Sequence, residues 1–102
     1  MIDVNLIDEQ GEALEQVIDS KSIVELLASD WAERLDSVCL RFVDPYGDAV
    51  FNRAQIPILL AELKESESEQ SDQKIKAHLR DVIDLVERAQ GQVHVYIEFS
   101  GD

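Results

Sequence analysis

The last strand-like segment constrains this chain more than any other feature. Val93, Val95, Ile97 and Phe99 alternate with His94, Tyr96, Glu98 and Ser100. A period of two places one apolar row on one face, and that row must be covered. The residues just before it have a different period. Ile75, Leu79, Val82, Ile83, Val86 and Ala89 recur at helical spacing, and Gly91 supplies the stop. A one-faced strand beside a one-striped helix predicts layered packing of helices on a sheet. With 102 residues, one domain spanning 1–102 is expected.

The remaining segments extend the same pattern. Ile2, Val4 and Leu6 alternate with polar neighbours, and Asp8-Glu9-Gln10-Gly11 supplies turn residues. Ala13 to Ile18 reads as the returning strand of a hairpin, although Leu14, Val17 and Ile18 also fit a helix opening. Ser20 or Ser22 is the predicted cap of the next helix, with Glu25 completing a capping box. Its stripe is Ile23, Leu26, Leu27, Trp31 and Leu35, interrupted or bent near Ser29-Asp30, with Trp31 as a core anchor.

Val38, Leu40 and Phe42 predict a strand, and Asp44-Pro45-Tyr46-Gly47 predicts a tight turn with Gly47 left-handed. With Ala49 to Phe51 this makes a second hairpin. Asn52 and Gln55 predict a cap for the helix carrying Ile56, Leu59, Leu60 and Leu63. Pro57 requires either a start near Ile56 or a distorted first turn. Glu65 to Asp72 has no apolar residue and reads as an exposed link between helices. The resulting class is α+β in order ββαββααβ. A mostly antiparallel sheet of four to five strands covers about three helices and keeps one face open.

Charge decides which partners fit. Twenty-two acids against nine bases give −13, which repels nucleic-acid phosphates and anionic membranes. Residues 1–37 hold −8 of it, from ten acids and two bases, whereas 53–92 balance to −2. The expected partner is therefore a basic protein. It would be steered by Asp3, Asp8, Glu9, Glu12, Glu15, Asp19 and Glu25, with Tyr46 as an aromatic anchor. Such charge also serves as a plain solubility device. Met1 to Gln10 has no basic start or continuous apolar stretch, so the chain is expected to be cytoplasmic.

Catalytic signals are sparse. Cys39 is the only cysteine and falls in an apolar segment, where a buried inert thiol is expected. His78 and His94 have no ligand spacing, and no calcium loop, nucleophile elbow or phosphate cradle occurs, so no metal or cofactor is implied. Asp44 and Asp48 are read as turn-capping residues. The alternative to a binding module is a ligand-binding or catalytic row on the open sheet face, formed by Arg41, His94, Tyr96 and Glu98. Cross-strand pairing of Arg41 with Glu98 explains the same residues without chemistry. A third reading is a homo-oligomeric scaffold joined through an open sheet edge.

Leu40 to Asn52, around Asp44-Pro45-Tyr46-Gly47-Asp48, together with Tyr96-Ile97-Glu98-Phe99-Ser100-Gly101-Asp102, resembles a family of small uncharacterised bacterial proteins. In that family a Thr is common where Ala49 stands here. The likeness covers about a fifth of the chain and implies no activity. Size and acidity are also similar to those of the immunity proteins that block basic toxins. That likeness implies a non-enzymatic inhibitor.

Overall fold

Gly11, at φ 81°, closes the first hairpin between β1 (Ile2–Asp8) and β2 (Ala13–Val17), so the returning segment is a strand. Asp8 secures the turn, its carboxylate accepting from the N–H groups of Gln10 and Glu12 at 2.9 Å each. The computed structural model describes residues 1–101, so Asp102 of the terminal motif lies outside the described residues. After β2 come α1 (Ile23–Ala32), a 3₁₀ turn at Leu40–Phe42, β3 (Asp48–Phe51), α2 (Ile56–Ser68), α3 (Gln73–Ala89) and β4 (Val95–Gly101). The sheet order is β2-β1-β4-β3, antiparallel throughout. The fold is α+β, with the sheet packed on its helices.

Alternation in β4 and β1 sets the core. Val4 lies opposite Phe99 and Leu6 opposite Ile97, and all four are buried. They meet Leu59 and Leu63 of α2 and Leu79, Val82, Ile83 and Val86 of α3 in one apolar cluster. Phe99 is its aromatic centre, edge-on to Phe51 at 5.8 Å and to Trp31 at 6.5 Å. Burying side chains of this size stabilises by about 2–3 kcal/mol each.

Helix boundaries differ from the sequence reading where buried polar groups intervene. Neither Ser20 nor Ser22 caps α1; Ser22 sits at φ 54° and its side chain caps nothing. Asp19, fully buried, does so instead. Its Oδ1 accepts from Ile23 and Val24 at 2.7 and 3.0 Å, and its Oδ2 accepts from Ile2 and Glu25 at 3.0 and 3.2 Å. α1 runs unbroken through Ser29-Asp30, and Leu35 lies beyond it, 78% exposed. Asn52 and Gln55 exchange bonds as expected, and the helix starts at Ile56 with Pro57 in its first turn, where no N–H is needed.

The polar link is shorter than 65–72. α2 continues through Ser68 because Ser66 faces inward and accepts from the Trp31 indole at 3.0 Å. Asp72 caps α3, and Gly91, at φ 88°, follows its end.

The predicted strand at 38–43 is absent, and with it the second hairpin. The carboxylate of Glu62, on α2, accepts from the N–H groups of Val38, Cys39 and Leu40 at 2.6, 3.0 and 3.0 Å. Those donors are then unavailable to a sheet ladder, and the chain coils into a 3₁₀ turn. Cys39, Leu40 and Val43 are buried, whereas Val38 and Phe42 are exposed, so the alternating row is not the buried one. Burial pushes the Cys39 thiol up to about 11, and neighbouring Glu62 adds to the shift.

The Asp44–Gly47 turn forms, and Asp44 accepts from the Tyr46 N–H at 2.9 Å. Only Gly11 and Gly91 among the glycines have positive φ, so Gly47 is not left-handed. A Cβ there would sit 3.0 Å from an Asp44 carboxylate oxygen, a tight contact that the Asp44 side chain would have to relieve by a few tenths of an ångström. β3 then pairs with β4.

Candidate docking surface

All four strands, read in sequence, lack Lys, Arg and His. The helices cover the face bearing Val4, Leu6, Ile97 and Phe99. The opposite face has no such layer, and the register arranges it in three rows. The first is Asp3, Ser100 and Asp48, and the second is Gln16, Asn5, Glu98 and Val50. In the third, Ile7 stands opposite Tyr96. This face is therefore acidic and amide-bearing, with apolar side chains beside its charges. Asn5 donates its Nδ2–H to Glu98 Oε1 at 2.9 Å. Asn5 Oδ1 is buried without a partner among the described residues, although Asn5 as a whole is only 7% exposed.

The seven acids of the N-terminal third do not converge. Asp3 is on the uncovered face, with its Oδ1 accepting from the Asp19 N–H at 2.9 Å. Asp8, Glu9 and Glu12 lie at the first hairpin turn. Glu15 reaches Arg88 of α3 at 2.9 Å, and Glu25 meets the Met1 amino group at 3.2 Å. Asp19, expected at a partner-facing surface, is buried beneath α1 with the imidazole of His78 3.3 Å away. Tyr46 is 85% exposed, and Leu35, Val38 and Phe42 of the same connecting segment are exposed with it.

The row Arg41-His94-Tyr96-Glu98 is not assembled. Arg41 belongs to the 3₁₀ turn, donates to the Leu35 carbonyl at 2.9 Å and stacks over Phe42 at 4.8 Å. His94 precedes β4, at φ 63°, so it leaves the strand's alternation. Its Nδ1 contacts Glu9 Oε1. Tyr96 and Glu98 remain on the uncovered face. A groove of about 440 Å³ opens beside them, lined by Asn52, Arg53, His94 and Tyr96 among others. His94 thus has Glu9 as its carboxylate neighbour and shares the groove with Arg53, not Arg41.

Sequence alternation could place Asn5, Tyr96 and Glu98 on polar faces. It carried no signal that β1 and β4 are neighbours, which is what joins Asn5 to Glu98. Among the described residues no helix is long and apolar enough to cross a membrane, and no three His, Cys, Asp or Glu side chains group as metal ligands. Comparison of the chain with protein-family models, curated proteins and solved structures found no match.

Proposed function

We propose that this protein is a non-enzymatic, acidic protein-binding module that docks a basic partner, in the manner of an inhibitor or immunity-type protein. The observation that carries this reading is a sheet without a single basic side chain, with one face left uncovered. Charge of one sign on such a face accelerates encounter with a basic surface and rejects acidic ones. Tyr96 and Val50 beside the acids give that face apolar area to bury, which charge alone does not provide.

Capture from a native-cell lysate on the immobilised protein tests the reading. Basic proteins are expected to bind at about 50 mM salt and to be largely released at about 500 mM, where the Debye length falls to about 4 Å. Capture that survives high salt, or that shows no bias toward basic proteins, refutes it.

One observation favours a second reading, small-ligand binding. The groove of about 440 Å³ falls within the usual range for ligand sites and brings Arg53, His94 and Tyr96 together. Titration of the protein with small carboxylates and phosphates, followed by the amide shifts of Arg53, His94 and Tyr96, tests it. An absence of shifts there excludes it.

A further inference from the structure

We infer that the Asn5–Glu98 pair is the receptor for an arginine side chain of the basic partner, an inference that rests on the docking reading above. Asn5 and Glu98 stand directly opposite each other on β1 and β4, the two central strands. Their mutual hydrogen bond uses Asn5 Nδ2 and Glu98 Oε1. It leaves two acceptors on adjacent strands, Asn5 Oδ1 and Glu98 Oε2.

The first of these is the telling one. A buried amide oxygen without a donor costs about 1–3 kcal/mol, and native proteins leave few such groups unmatched. An amide flip does not remove the problem, because it would turn the oxygen toward the Glu98 carboxylate and lose the existing bond. Asn5 Oδ1 is itself buried, so an incoming donor reaches it only as the exposed side chains flanking the pair along its row, Gln16 and Val50, swing aside.

The surroundings select the donor. Glu98 supplies negative charge, with Asp3 and Asp48 in the adjoining row and no basic side chain on any strand. A planar guanidinium can donate to a carboxylate and an amide oxygen at once, which an ammonium on a single stem does less well. Tyr96 lies two residues from Glu98 on the same side of β4, where its ring can flank a bound cation. The site therefore combines an unmatched buried acceptor, a carboxylate and an aromatic ring. Those are the three elements that favour arginine over lysine.

The test uses the full chain, ¹⁵N-labelled, titrated at low salt with a short Gly-Arg repeat peptide and with its Gly-Lys counterpart. The arginine peptide is expected to bind at least about 5-fold more tightly and to shift the Asn5 side-chain amide together with Tyr96 and Glu98. Glu98→Gln, which keeps an acceptor for Asn5 Nδ2, is expected to weaken binding about 10-fold. Val50→Lys places an ammonium opposite Glu98 from an exposed edge position, and it should give a similar loss with an unchanged thermal melt.

Equal affinity for the two peptides overturns the inference. So does wild-type affinity in both variants, or binding with shifts confined to other surfaces. In each of those cases binding persists, so the docking reading survives. Failure of both peptides to bind at low salt overturns the inference and the docking reading together.

Discussion

Replacing Asp19 is the most informative perturbation of the fold. Its two oxygens are both in use: Oδ1 accepts from Ile23 and Val24 at the start of α1, and Oδ2 accepts from Ile2 on β1 and from Glu25. Asp19→Ala leaves those N–H groups without an acceptor, and Ile2, Ile23 and Val24 are buried where water cannot easily replace it. At the lower end of the cost of an unsatisfied buried donor, about 1 kcal/mol each, the loss is about 3 kcal/mol. For a domain of this size that lowers Tm by about 12–24 °C.

Asp19→Asn should recover little, because its NH₂ group must face donors on one side or the other. Ser22 is the natural control. It makes no side-chain cap bond and holds φ 54°, so Ser22→Gly should be neutral or stabilise by up to about 1 kcal/mol. Urea unfolding followed by fluorescence of Trp31, the only tryptophan, reads all three variants. A loss below about 1 kcal/mol in Asp19→Ala, or a larger loss in Ser22→Gly than in Asp19→Ala, refutes the assignment of Asp19 as the cap.

Further outcomes follow from other contacts in the fold. Glu62→Ala removes the acceptor of three consecutive N–H groups, so amide exchange at Val38, Cys39 and Leu40 should accelerate at least about 10-fold, while the centre of β4 stays protected. The thiol of Cys39, pushed up to about 11, should be roughly 0.1% ionised at pH 8 against about a tenth for an ordinary thiol near 9, and alkylation of the folded protein should be correspondingly slow. Between pH 9 and about 11 the unfolded chain releases that proton before the folded one. The contribution of Cys39 to stability is therefore full below pH 9 and lost toward pH 11, a slope that Cys39→Ala should reduce. Phe42→Ser with Tyr46→Ser should change stability by less than about 0.5 kcal/mol, since both side chains are exposed; reduced capture of basic proteins by that variant would extend the docking surface to this segment.

Elements that signal their own period were readable from residues alone. The alternation of β4 from Val95 onward, the stripe of α3, the turn at Gly11 and the helix stop at Gly91 agree with the sequence reading, since each is decided by local sterics or by which face is apolar; Val93 and His94, read as part of the same strand, lie outside it. Single polar side chains carry no such period. Ser66 looked like part of a solvated link, yet a partner 35 residues away makes it an interior acceptor. Val38 to Val43 looked like a strand, yet the Glu62 carboxylate takes the N–H groups that a ladder would need.

The candidate surface divides the same way. The acidity of the chain, and the absence of bases from the segments that become strands, were already present in the order of residues. That Asn5 faces Glu98, that Arg41 is drawn away to Leu35 and Phe42, and that Asp19 is spent inside the molecule depend on β1 lying beside β4 and on α1 folding back over Ile2. Pairing order is a long-range choice, made by the common core around Phe99, and no local pattern encodes it.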